Sequence, residues 1–170
     1  MAKKDNEKSK GVALHPTAND LNKSVREQMV ALLNARLADV TDMKSQVKNA
    51  HWNVKGPDFI ALHELFDQVV GRLDIQADDI AERVAQLGGI AMGTIRRAAA
   101  SSQLEEYPAE IRDGKDHVRA LVARMSAYGA LVRKAIDEAE KAGDADTTDI
   151  FTTVSRAVDK DLWFIEAHLG

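Results

Sequence analysis

The stretch AHWNVKGPDFIALHELFDQVVGRLDIQADDIAERVAQLGG, residues 50–89, carries its own boundaries. Gly56 and Pro57 interrupt the pattern at one end, and Gly88 and Gly89 stop it at the other. Between them Leu62, Phe66, Val69, Leu73, Ala77, Ile80, Val84 and Leu87 recur every three or four residues, the period of one face of an α-helix. The spacing predicts a helix of about 30 residues, roughly 45 Å long. Pro57 is expected at its first position, where a missing N–H is tolerated, and Asp58 in its first turn, where a carboxylate suits the helix dipole.

Upstream, Val25, Met29, Leu32, Leu33, Leu37, Val40, Met43 and Val47 mark a preceding amphipathic helix from Asn22 to near His51 and Trp52. Downstream, Ile90 to Arg112 contains Gly93, Pro108 and the helix-prone run IRRAAA, and reads as a long crossover with a small helix inside. Two further helices follow. Val118, Leu121, Val122, Met125, Tyr128, Val132 and Ile136 mark one; Ile150, Phe151, Val154, Val158, Leu162, Ile165 and Leu169 mark the other. The linker AGDADTTD between them supplies a stop glycine and then acidic helix-start signals. Four long helices with a long connection between the second and third predict an all-α, ferritin-like four-helix bundle over residues 22–170.

Composition agrees. A chain of 170 residues with 45% hydrophobic side chains can bury one sizeable core, and 5% aromatic residues leave little from which to build strands. The absence of cysteine excludes disulfides, thiolate metal sites and a Cys nucleophile. No run approaches the roughly 18 apolar residues of a spanning helix, so no membrane partner is expected and the cytoplasm is the expected compartment. A formal net charge of -4 argues against a uniformly basic nucleic-acid binder. The basic character is local: residues 1–21 are expected to form a mobile arm, and its first ten residues carry Lys3, Lys4, Lys8 and Lys10 against Asp5 and Glu7.

The second helix also carries chemistry. His63 and Asp67 are four residues apart, as are Asp78 and Glu82, so each pair shares a helix face. The two pairs fall within roughly 20° of one stripe, with Asp74 between them, yet eleven residues separate them by about 16 Å of rise. Metal bonds of about 2 Å cannot span that gap, so one chain cannot close both pairs on one ion. The stripe lies about 120° from the centre of the apolar face and is therefore expected to face another subunit. An antiparallel copy packed across a two-fold axis near Gly71 and Arg72 would bring His63 and Asp67 of one chain to Asp78 and Glu82 of the other. His51, at the end of the preceding helix, is the natural fifth ligand. His51, His63 and Asp67 form a two-histidine, one-carboxylate set suited to Fe(II), and the further carboxylates favour the ferric product; zinc and copper also suit such donors. The expected pair of sites lies about 22 Å apart, from fifteen residues of helix rise. An acidic helical face is commonly only a solvated one; the conjunction of two spaced pairs, a histidine on the neighbouring helix and a glycine near the axis sets this one apart.

Three segments, HWNVKGPDFIALHELFD (51–67), AERVAQLGGIAMGT (81–94) and DLWFIEAHLG (161–170), resemble the Dps proteins, the DNA-binding proteins from starved cells or mini-ferritins. The resemblance runs from about Asn22 to the C-terminus, and His51, His63, Asp67, Asp78 and Glu82 match the family's ligand pattern without a gap. It implies a hollow shell of twelve subunits in which Fe(II) is oxidised at two-fold interfaces, preferentially by hydrogen peroxide, and stored as ferric oxide. It also implies that Trp52, next to a ligand, can donate electrons, and that Asp144, Asp146 and Asp149 surround a three-fold pore that attracts iron. Capping and dipole compensation are the competing roles for these aspartates, and closing the helix turn is the competing role for Trp52. The Glu-x-x-His motif of core-type di-iron bundles is absent, because Val12, Lys48, Ile60, Gly114 and Ile165 stand three residues before the five histidines.

Family members that bind DNA often use lysine-rich N-terminal arms. The first ten residues here carry a small positive excess, which repetition over a shell would make multivalent. The expected DNA contact is double-stranded, non-specific, salt-sensitive and nucleoid-associated. Two other functions are open to this sequence: chiefly DNA compaction, or helical assembly without metal chemistry.

Overall fold

The computed structural model describes residues 13–170. Four long helices form the bundle: α1 (Lys23–Asn53), α2 (Phe59–Gln86), α4 (Gly114–Ala142) and α5 (Ala145–Glu166), with the short α3 (Ile95–Ser101) in the crossover and a closing 3-10 turn at Ala167–Leu169. Among the described residues there is no strand, and no helix is long and apolar enough to cross a membrane. The periodic positions explain the packing. Met29, Leu33, Phe66, Leu73, Met125, Tyr128, Phe151 and Val158 are fully buried in one continuous core. α1 packs along α2 and α4 along α5, while α1 also meets α4 and α2 meets α5.

The helix ends follow from local chemistry. Asp113 accepts from the Lys115 N–H at 2.9 Å and caps α4; Asp144 accepts from the Thr147 N–H at 3.1 Å and caps α5. Gly143 closes α4 in the left-handed conformation at φ 81, which a side chain would strain. The start of α2 differs from the sequence expectation. Pro57 lies outside the helix, because the Phe59 N–H donates to the Gly56 carbonyl at 3.1 Å and closes a turn over residues 56–59. Proline's fixed φ suits the second position of such a turn, and Asp58 becomes the residue before the first helical one.

The N-terminal expectation also divides. Residues 13–21, assigned to the mobile arm, lie against the end of α2: the His15 N–H donates to the Gly88 carbonyl at 2.7 Å, and Arg26 donates to the Leu21 and Leu87 carbonyls. Lys3, Lys4, Lys8 and Lys10 fall outside the described residues.

The crossover is fastened to α1 by polar contacts. Asp39, fully buried, accepts from the Arg36 guanidinium at 2.8 Å and from the Gln103 N–H at 2.7 Å. Asp42 accepts from the Ser102 hydroxyl at 2.7 Å, and Asn34 bonds Ile90 and Met92. These contacts fix where α3 lies beside the middle of α1, next to the face of α2 that carries the acidic stripe.

Candidate metal centre

His51 and His63 meet where α1 ends and α2 begins, brought together by the short turn at residues 54–58. Their rings stack, with centroids 3.8 Å apart and planes 20° from parallel. Each Nδ1 lies against the other residue's backbone carbonyl, at 2.8 Å for His51 and 2.9 Å for His63. A carbonyl only accepts, so both Nδ1 atoms carry the proton. In the neutral form of each ring the lone pair therefore falls on Nε2, the tautomer and orientation that a metal ligand requires. The two rings and the two carbonyls thus orient each other, and the sequence does not reveal this reciprocal lock.

Asp67 stands beside them. Its Oδ1 lies 4.0 Å from His51 Nε2, about the widest separation that one ion with bonds of about 2 Å can bridge. The same oxygen accepts from Lys48 Nζ at 2.5 Å. That hydrogen bond, then the charges of Lys48, His51 and His63, hold the Asp67 carboxyl below its ordinary value of 3.8. Lys44 likewise pairs with Asp74 at 2.6 Å. Sequence reading missed both lysines; their i, i+4 spacing on α1, with Lys48 three residues before His51, was the available signal.

Asp78 and Glu82 lie further along α2, exposed, and neither makes an ion pair among the described residues. No three His, Asp or Glu side chains of the described chain gather as a metal-binding group. The stripe is therefore split in the single chain. One half is a pair of oriented imidazoles with a carboxylate held by lysine; the other is a pair of uncompensated carboxylates.

The surface around the stripe is not that of a solvated helix. Ile75, in its middle, is 64% exposed, Trp52 69% and Ile95 82%. A side chain at Gly71 would meet nothing within 4 Å, so the backbone there is bare. Two shallow hollows run along this face, one lined by Gly71, Ile75 and Asp78 and the other by Lys48, Trp52 and Ile95. Exposed apolar side chains thus stand among the charged ones on this face.

The acidic residues at the start of α5 differ among themselves. Asp144 is buried, with its carboxylate taken up by Arg83 at 2.7 Å, by the Thr147 hydroxyl and by the helix cap. That capping role removes Asp144 from the expected pore lining. Asp146 and Asp149 are exposed, and Asp146 also lies 3.5 Å from Arg83. Trp163, like Trp52, is largely exposed and packs beside Phe164.

Residues 30–170 match the model of the ferritin-like domain. The chain is 46% identical over 155 residues to the DNA protection during starvation protein of Agrobacterium fabrum (strain C58 / ATCC 33970), covering 91% of this chain and 96% of that one. Among solved structures it is similar to DpsA14 from Streptomyces coelicolor, with a TM-score of 0.89 and 32% identity over 94% of this chain and 95% of that one. It is similar also to Mycobacterium smegmatis Dps, with a TM-score of 0.87 and 30% identity over 91% and 94% of the two chains. The helix order, the crossover after α2 and these likenesses together establish that the chain belongs to the Dps family of ferritin-like proteins.

Proposed function

We propose that the protein is a ferroxidase and iron store whose substrate ions are held between two chains. The observation that carries this reading is the split stripe with exposed apolar side chains beside it. His51, His63 and Asp67 lie at one end of α2, Asp78 and Glu82 lie about 16 Å along it, and exposed Ile75 and bare Gly71 stand between them. An antiparallel second copy seated on this face would cover the isoleucine and bring each imidazole pair to the partner's free carboxylates.

The residues divide the work. The Nε2 lone pairs of His51 and His63 supply neutral donors, and the carboxylates of Asp67, Asp78 and Glu82 supply charge that favours Fe(III) over Fe(II). Lys48 neutralises Asp67 while the substrate is absent and has to leave that oxygen as iron arrives. Hydrogen peroxide takes two electrons, one from each of two Fe(II) ions, so its O–O bond breaks to water without releasing hydroxyl radical. The family relationship supports a twelve-subunit shell with ferric oxide inside. Asp146 and Asp149, exposed at the start of α5, are the carboxylates available to draw Fe(II) toward a three-fold pore.

The test is anaerobic loading with Fe(II) followed by peroxide in the presence of a spin trap. The expected result is oxidation of two Fe(II) per peroxide with the hydroxyl adduct suppressed. An adduct yield equal to that of iron and peroxide without protein would reject the reading.

The name of the Agrobacterium fabrum relative, a DNA protection protein, supports a second part of the proposal. Lys3, Lys4, Lys8 and Lys10, repeated over the shell, hold double-stranded DNA through its phosphates, without sequence reading and in the nucleoid of the cytoplasm. Deleting residues 1–10 is expected to abolish a gel shift that also disappears as salt rises, and to leave iron oxidation unchanged. A shift that survives the deletion would place the DNA contact elsewhere.

A further inference from the structure

Beneath the C-terminal turn of α1 lies an oxidisable tyrosine paired with a histidine that the metal centre does not use. The Tyr107 hydroxyl lies 2.5 Å from His117 Nδ1, with the two rings 14° from parallel. His117 is fully buried in the first turn of α4, and Tyr107 is 8% exposed in the crossover. The Asn53 carbonyl approaches the His117 ring, and Asn53 ends the helix that presents His51 two residues earlier.

The chemistry of the pair is determined by its surroundings. Burial pushes the Tyr107 phenol up, so the hydroxyl keeps its proton and donates it. Burial pushes His117 down, while the Asn53 carbonyl and the charges of Asp116 and Asp113 act the other way. The imidazole is therefore a neutral acceptor with nearby groups that would stabilise its protonated form. The Arg124 guanidinium lies 6.0 Å from the Tyr107 ring centroid, which makes loss of an electron without a proton unfavourable. Oxidation of this phenol has to be coupled to proton transfer, and the acceptor is already in place.

The chain's other tyrosine lacks this arrangement. Tyr128 is fully buried and donates to Gln76 Oε1 at 3.4 Å, and an amide oxygen cannot take a phenolic proton at neutral pH. Two buried tyrosines in one fold thus differ in the one respect that matters for electron donation.

From this geometry we infer that Tyr107 is a one-electron donor, with His117 as its proton acceptor, which supplies the second electron when peroxide meets a centre holding only one Fe(II). The inference rests on the ferroxidase reading. Peroxide takes one electron from Fe(II), giving Fe(III), and one from Tyr107, whose phenolic proton passes to His117 Nδ1. Two protons from solvent complete two waters as the O–O bond breaks. The products are Fe(III), a neutral tyrosyl radical and a protonated His117.

The test is electron paramagnetic resonance on the full chain, loaded with less than one Fe(II) per centre, mixed with peroxide and frozen, while iron oxidation is followed optically in the same mixture. A tyrosyl signal is expected in the wild-type protein and in Tyr128→Phe, absent in Tyr107→Phe and lost or short-lived in His117→Gln. Growth on ring-deuterated tyrosine should narrow the wild-type signal, which identifies the radical without any substitution. If iron itself is not oxidised, the ferroxidase reading fails. If iron is oxidised and no tyrosyl signal forms, or the signal persists in Tyr107→Phe or ignores the deuterium, only the Tyr107 assignment is overturned.

Discussion

His51→Ala and Asp78→Ala should each slow Fe(II) oxidation by peroxide by roughly 100-fold, although the two side chains belong to opposite halves of the stripe and do not meet within one chain. Loss of a ligand's hydrogen-bond partner alone can produce an effect of that order, and here the ligand itself is removed. The two substitutions differ in what else they disturb. His51→Ala also removes the ring that stacks on His63 and that donates to the His63 carbonyl, so His63 loses its orientation as well. Asp78→Ala removes an exposed, unpaired carboxylate, and its cost to folding should be within experimental error of zero. A stopped-flow assay at fixed iron and peroxide, paired with a urea titration of each variant, separates the two effects. Unchanged oxidation in Asp78→Ala would remove that carboxylate from the centre.

The largest effect on stability is expected at Arg36. This guanidinium is 4% exposed, bonds the fully buried Asp39 carboxylate at 2.8 Å and reaches the Leu131 carbonyl at 3.3 Å. Arg36→Ala leaves the Asp39 charge buried without its counter-ion, a change that costs about 3–5 kcal/mol. The urea midpoint should fall while its slope holds. The pH dependence has a definite sign. Burial already holds the folded Asp39 carboxyl above its ordinary value of 3.8, against the lowering by the Gln103 N–H and Arg36. A raised folded value means that the native state binds the proton more readily, so the penalty is full above the folded value and relieved as pH falls toward 3.8. Without Arg36 that window widens, and the deficit against wild type should narrow on acidification. Arg36→Met combined with Asp39→Asn removes both charges and should recover most of the loss. The expected consequence for function is indirect: Asp39 holds the crossover through Gln103, and the crossover carries Ile95 to the face that frames the metal centre.

Much of the fold was legible because it is written in short-range periodicity. Leu62, Phe66, Val69, Leu73, Ile80 and Val84 are all buried on one side of α2, as a helix of that spacing requires. Glycines at residues 88 and 143 stop their helices with positive φ, a role their lack of Cβ makes readable. The start of α2 was less legible, because a proline suits both the first turn of a helix and the second position of a β-turn, and only the Gly56–Phe59 hydrogen bond decides between them. The docking of residues 13–21 was not legible, since it depends on a backbone carbonyl at the far end of α2 and on two isolated apolar side chains, Leu14 and Leu21, too few to show a period.

The candidate site divides the same way. Spacing alone aligned His63, Asp67, Asp78 and Glu82, since one helix fixes their angles and heights. The mutual lock of His51 and His63 and the ion pair of Lys48 with Asp67 cross between helices, and the distance across a turn is not encoded in any local pattern. Asp144 reads as an acidic residue in a row of three, and only its contact with Arg83, sixty-one positions away, shows that it is buried structure.

The measurement that bears most directly on the two-chain centre is complementation between inactive chains. One chain would carry His51→Ala with His63→Ala, the other Asp78→Ala with Glu82→Ala, and the two would be refolded together in equal amounts. If each centre takes its imidazoles from one chain and its free carboxylates from the other, random pairing restores about a quarter of the centres, one of the two in each mixed pair. Peroxide-driven iron oxidation should then rise from near zero in either variant alone to about a quarter of the wild-type value. A mixture that assembles but stays as inactive as its parents would show that each centre is completed within a single chain, and would contradict a centre shared between two.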